Sequence, residues 1–253
     1  MIIMNNESIK VQNMTVAYQA KPVIWNINIS IKEGKLTAIL GPNGAGKSSL
    51  LNAMLNLIKP ISGDIQFSIQ NQWNEFQQVQ KHIAYVPQNS SVDWDFPSTV
   101  LDVVVMGRYA HLGWLKRPKI SDYKIAEEKL NEVGMLPFKN RQISQLSGGQ
   151  RQRVFLARAL TQEAEIYLLD EPLAGVDIKT EKVIMSLLRD LIRQNKTVVV
   201  VHHDLQTVEE YFDEIIFLNH EIIEHGPVET TFIEENIQET YRRDRNAEGV
   251  EEL

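Results

Sequence analysis

Apolar and polar residues alternate over Ile9–Tyr18 and again over Val23–Ile31, and that period of two predicts a pair of half-buried strands. The turn Lys32-Glu33-Gly34-Lys35 separates them from Leu36–Leu40, a short buried strand. The glycine-rich stretch Gly41–Gly46 follows, and then a helix from about Lys47 to Leu57. Gly63 opens another strand, and His82–Val86 reads as a further buried one stopped by Pro87. Between Asn89 and Gln145 the strand-like alternation disappears. That stretch holds a polar-aromatic loop (Ser91–Pro97) and a helix near Thr99–Arg108, where Thr99 and Asp102 fit a capping box. A second helix from about Ser121 to Val133 stops at Gly134, so the stretch reads as a helical lobe. Alternation of strand and helix then resumes. Glu165–Leu169 is a strand, Lys179–Arg193 a helix, Thr197–Val201 a strand and Asp204–Tyr211 a helix, with Ile215–Leu218 and Ile222–Ile223 as the last strands. Apolar strands separated by helices imply right-handed crossovers and a mostly parallel sheet. The expected fold class is α/β, with an N-terminal antiparallel β region and an inserted α-helical subdomain.

Composition narrows the chemistry. A chain of 253 residues accommodates one large domain, or a core with a lobe inserted in it. Acidic residues outnumber basic ones 33 to 26, and no basic stripe is visible, which argues against a nucleic-acid partner. The absence of cysteine excludes disulfides, cysteine-zinc sites and thiol catalysis. Met1–Lys10 is polar where a signal peptide needs an apolar core, and no apolar run approaches the ~20 residues that span a bilayer. A soluble, cytosolic chain is expected, with Arg242–Leu253 as a charged, solvated tail.

Three stretches carry chemistry. Gly41-Pro42-Asn43-Gly44-Ala45-Gly46-Lys47-Ser48 fits the phosphate-binding loop pattern. Its glycines let successive backbone N–H groups turn inward on the β- and γ-phosphates, and the helix that follows adds its positive end. Lys47 supplies a point cation, and the Ser48 hydroxyl suits a magnesium ion. Glu165-Ile166-Tyr167-Leu168-Leu169-Asp170-Glu171 is an apolar strand ending in two carboxylates. Asp170 suits the magnesium shell, and Glu171 the acceptance of a proton from an attacking water. Leu146-Ser147-Gly148-Gly149-Gln150 opens a long helix, Gln150 to Leu160, with Ser147 as N-cap and two glycines that leave the helix start bare for an anion. His220 and His225, with Glu221 and Glu224 between them, invite a zinc reading. They alternate along a strand pair, however, and read better as a wet hairpin.

Over essentially its whole length the chain resembles the nucleotide-binding subunit of ABC transporters, and Leu146–Gln150 matches the signature that sets that family apart from other P-loop proteins. The resemblance implies a P-loop, RecA-like core over 1–88 and 160–241, a helical subdomain over 89–159 and a tail over 242–253. It implies that Tyr18 stacks on adenine and that Ser49 joins the phosphate loop in binding ATP. Gln88 would link the magnesium site to the membrane partner, Asp177 lie in the D-loop, and His203, rather than its neighbour His202, touch the γ-phosphate. The signature would complete the ATP site of a second copy, head to tail, in a homodimer that drives integral membrane permease subunits from the inner face of the membrane. Independently of the resemblance, the phosphate loop, Gln88, Asp170/Glu171 and His203 each follow an apolar strand. Ligands of parallel sheets bind outside those carboxyl ends.

The stretches Val92–Pro97 and Met106–Trp114 look like those of bacterial manganese, zinc or iron importer ATPases, which implies an extracytoplasmic metal-binding protein in the same system. Trp94, Phe96, Leu112, Trp114 and Leu115 are candidates for contact with the permease. The alternatives are an importer of an iron chelate, haem or a cobalamin-type cofactor, a soluble ABC ATPase of DNA repair or translation, and a P-loop kinase or switch protein.

Overall fold

The computed structural model describes residues 7–19, 21–88, 97–112 and 116–242. The first half contains β1 (Glu7–Tyr18), β2 (Lys21–Lys32), β3 (Leu36–Leu40), α1 (Lys47–Met54), β4 (Ser62–Ile69), β5 (Gln72–Asn74), α2 (Phe76–Val79) and β6 (Ile83–Val86). Next come α3 (Val100–Val105), α4 (Tyr109–Leu112), α5 (Ile120–Glu132), α6 (Gly148–Thr161), β7 (Ile166–Asp170) and α7 (Ile178–Arg193). The chain continues with β8 (Thr197–Val201), α8 (Val208–Tyr211), β9 (Glu214–Asn219), β10 (Glu221–Pro227), α9 (Val228–Thr231) and α10 (Glu234–Arg242). Two compact units result, one formed by the residues up to Val79 with those from Thr197 on, the other by Gln80–Lys196.

The first unit carries an antiparallel sheet in the order β2-β1-β4-β5 and a run of strands in the order β10-β9-β3-β8. In β1 and β2 one face is sealed by Ile9, Val11, Met14, Val16, Ile24, Ile27, Ile29 and Ile31, the half-buried pattern that alternation predicts. β3 is buried along its whole length and pairs in parallel with both β8 and β9, so it carries no solvent face. The hairpin β4–β5 turns at Gln70 and Asn71, both with positive φ (54° and 62°), as the tightest hairpin turns require. Helix α1 ends at Met54, earlier than the expected Leu57, because Asn56 turns left-handed at φ 53°.

In the second unit β6 and β7 pair in parallel, and α3, α5 and α6 pack on one another. Thr99 Oγ1 accepts from the Asp102 N–H while the Asp102 carboxylate accepts from the Thr99 N–H, so the expected capping box starts α3. The single helix expected over Thr99–Arg108 is broken. α3 stops at Val105, and a tight turn, Met106–Arg108, leads into α4. Gly107 lies in that turn, and only a residue without a Cβ fits there, since a Cβ would stand 2.2 Å from the Arg158 carbonyl oxygen of α6. Of the permease candidates only Leu112 is among the described residues. Trp94, Phe96, Trp114, Leu115 and the tail beyond Arg242 lie outside them.

Candidate functional site

Two groups of predicted residues emerge, one in each unit. In the first unit β3 and β8 are parallel neighbours with Ile39 opposite Val201. The phosphate loop after Leu40 and the histidines after Val201 therefore leave the same strand ends. Lys47 is buried (6% exposed), and its ammonium donates to the carbonyl oxygens of Gly41 and Pro42, each at 2.7 Å. The loop thus folds around its own cation. Gly44 and Gly46 take φ of 84° and 93°, which glycine reaches without strain. At Gly46 a Cβ would also lie 2.2 Å from Ile24 Cγ2, so β2 closes one side of the loop. From below, the Ala45 carbonyl accepts from the His220 N–H at 3.0 Å. Asn43 and Gly44 stay exposed at the loop's rim.

Ser48 and Ser49 begin α1 behind the loop. Tyr18, at the end of β1 and 47% exposed, places its hydroxyl 3.4 Å from Ser49 Oγ. The adjacent histidines part company. His202 is buried, with Nε2 2.9 Å from Thr207 Oγ1 and its ring against Phe212, whereas His203 is exposed. His220 stacks on Trp25 at the β9–β10 turn, its Nδ1 2.8 Å from the Val23 carbonyl. A carbonyl cannot donate, so this nitrogen carries the proton.

In the second unit Val86 stands opposite Leu169, and the groups after β6 and β7 again leave the same edge. There the Gln88 amide donates to Glu171 Oε2 at 2.8 Å. Glu171 has a φ of 49°, uncommon for a residue with a Cβ, so the chain turns sharply as it leaves β7. Asp170 is buried at the strand end (4% exposed). Burial chiefly, with the Asp170 charge adding, pushes the Tyr85 phenol up to about 12. Tyr85 is a neighbour that sequence reading missed, because only the β6–β7 pairing brings it there.

The stretch Leu146–Gln150 forms a reciprocal cap at the start of α6. The Gln150 N–H donates to Ser147 Oγ at 3.4 Å, and the Ser147 N–H to Gln150 Oε1 at 3.0 Å. Leu146 is buried and anchors the entry, while Ser147 and Gly148 are exposed. Asp177 caps α7, accepting from the Thr180 N–H (3.0 Å) and hydroxyl (2.8 Å); these two bonds, the backbone one first, hold its carboxyl below the usual range.

The model of the ABC transporter family matches residues 24–174, more than half of the chain. The chain belongs to the ABC transporter family. Among its ABC relatives, the manganese transport system ATP-binding protein MntB of Bacillus subtilis (strain 168) is 54% identical over 233 residues, 92% of each chain. The zinc transport system ATP-binding protein TroB of Treponema pallidum (strain Nichols) is 50% identical over 234 residues, 92% of this chain and 86% of that one. Among solved structures, an inward-facing ABC transporter assigned to the metal-chelate type superposes with a TM-score of 0.79 at 32% identity, covering 93% of this chain and 88% of that one. An ATP-binding cassette solved as a dimer after hydrolysis, with ADP and Pi bound, gives a TM-score of 0.75 at 32% identity over 87% and 98%. Among the described residues no helix is long and apolar enough to cross a membrane, so this ABC chain contributes no such helix there.

Proposed function

We propose that the chain is the ATP-hydrolysing subunit of an importer of a divalent metal ion, manganese ahead of zinc and iron. The observation that carries the substrate is the 54% identity, over 92% of the chain, to a protein named for manganese transport. The chelate-importer alternative has a weaker warrant, a structural likeness at 32% identity.

The chemistry follows from the residues. Gly41–Ser48 wraps backbone N–H groups and the Lys47 ammonium around the β- and γ-phosphates. Tyr18 is exposed at a strand end, where its ring is open to an adenine face. Ser48, Gln88 and Asp170 offer oxygen donors only, which fits a hard cation, and the buried Asp170 presents its carboxylate at the strand end. Magnesium, when bound, neutralises phosphate oxygens. Glu171 accepts the proton of the attacking water, with Gln88 orienting its carboxylate through Oε2. His203, exposed beyond β8, hydrogen-bonds the γ-phosphate, and Asp177, the D-loop residue, caps the start of α7.

The signature Ser147-Gly148-Gly149, exposed at Ser147 and Gly148, offers its helix start to a nucleotide held by a second copy. The homodimer acts from the inner face of the membrane on separate permease subunits supplied by an extracytoplasmic metal-binding protein. Deletion of the gene should lower cellular manganese under metal limitation, and a Glu171→Gln copy should fail to restore it. Unchanged manganese, zinc and iron in the deletion strain would overturn the substrate and leave the ATPase standing.

A further inference from the structure

Helix α6 has the signature at one end and a side-chain clamp at the other. It runs for 14 residues, a rod of ~21 Å. The last carbonyls of a helix lack partners within it. Here the Thr161 carbonyl accepts from Arg108 Nη1 at 3.1 Å, and the Gln162 carbonyl from His111 Nε2 at 2.6 Å. Both side chains belong to the short stretch Met106–Leu112 that leaves α3.

Arg108 holds two further partners. Its Nε donates to Asp122 Oδ1 of α5 at 3.1 Å, and Nη1 to Glu163 Oε2 at 2.5 Å. Asp122 is buried and also accepts the Lys119 N–H at 2.8 Å. Because a Cβ at Gly107 would collide with the Arg158 carbonyl, the turn that carries Arg108 lies backbone to backbone on α6. Gln162 extends the chain of contacts, its amide donating to the Ile83 carbonyl of β6 at 2.8 Å. β6 is the strand that leads to Gln88.

We propose that Arg108, assisted by His111, is a positioning residue that fixes the C-terminal end of α6 and so places Ser147-Gly148-Gly149 for hydrolysis. The proposal rests on the reading that this signature acts on ATP. A rod of that length tilted by about 3° moves its far end by about 1 Å, and a misplacement of that size can cost about a hundredfold in rate. Only a guanidinium fits the position. Its planar fork serves a carbonyl and two carboxylates at once, whereas an ammonium is a single point charge.

The test uses the full chain, a fluorescent ATP analogue for affinity and steady-state hydrolysis for turnover. Arg108→Lys should keep nucleotide affinity within about twofold while turnover falls about tenfold to a hundredfold. His111→Ala, at an exposed side chain, should give the same split at about threefold. Turnover within about twofold of wild type in Arg108→Lys would overturn the proposal, as would parallel loss of affinity and turnover, the mark of a general structural role. Should Arg108→Lys lose its melting transition, His111→Ala decides, and unchanged turnover there overturns the clamp. Ser147→Arg is the separate control. Full hydrolysis in that variant would refute the signature reading itself, whatever Arg108→Lys does.

Discussion

Lys47 keeps its ammonium inside the loop, donating to the neutral carbonyl oxygens of Gly41 and Pro42. Lys47→Ala removes charge-assisted bonds worth about 1.5–3 kcal/mol each, so ATP affinity should fall about a hundredfold, as fluorescent-nucleotide titration would read. Unchanged affinity would remove the phosphate-loop assignment. Glu171 makes the complementary case. Its backbone is left-handed and its Oε2 is engaged by Gln88, an arrangement that an amide in place of the carboxylate nearly preserves in shape. Glu171→Gln should therefore bind ATP normally yet lose the proton acceptor, and turnover should drop by about 10²–10⁴-fold. Trapped with ATP, that variant should run as a dimer on size exclusion. A nucleotide-bound monomer would count against head-to-tail closure.

Buried strands and capped helices were the elements most legible in the residue order. Thr197–Val201 and Leu36–Leu40 match their expected bounds because each is apolar along most of its length and bounded by turns. The caps at Thr99 and Ser147 were equally legible, since a capping box is local chemistry spanning four residues. The misses are of another kind. β5 is three residues, Gln72–Asn74, with no alternation of its own, and it forms because Phe67, Ser68 and Ile69 of β4 stand opposite it. Arg108 read as an ordinary residue of a longer helix, and nothing near it in sequence reveals Asp122, Thr161 or Glu163 as its partners. The pattern locates elements, whereas long-range hydrogen bonds assign the side chains between them. The α3–α5–α6 cluster should accordingly show an acid sensitivity traceable to one group. The Lys119 backbone N–H, with Arg108 adding, holds the Asp122 carboxyl below its usual range despite opposing desolvation. Such a group contributes stability in full above about pH 4, and the contribution disappears as pH falls through the depressed value. Asp122→Asn should lower the Tm at neutral pH and converge on wild type in strong acid. A deficit independent of pH would mean that packing, not charge, is what Asp122 supplies.

On the scale of the whole molecule, the proposed cargo and the composition pull in opposite directions. A metal importer must recognise its ion somewhere, yet this chain has no cysteine, and four of its six histidines have other partners. His82 pairs with Glu165, His111 with the Gln162 carbonyl, His202 with Thr207 and His220 with the Val23 carbonyl. Among the described residues no group of three histidine or acidic side chains could hold an ion. Selectivity among first-row metals depends on ligand type and geometry, so under the proposed function the discrimination would fall to the permease or to an external binding protein. The expectation for the purified chain is then sharp. ATP hydrolysis should require magnesium, and chelation should abolish it reversibly. Calorimetric titration of the nucleotide-free protein with manganese or zinc should show no tight site. A zinc or manganese site of micromolar affinity or better, occupied without nucleotide, would overturn this division of labour and make the ATPase itself a metal sensor. The fate of the proposed substrate would then turn on whether that site changes turnover, which the same preparation can answer by assaying hydrolysis with and without the titrated metal at saturating magnesium.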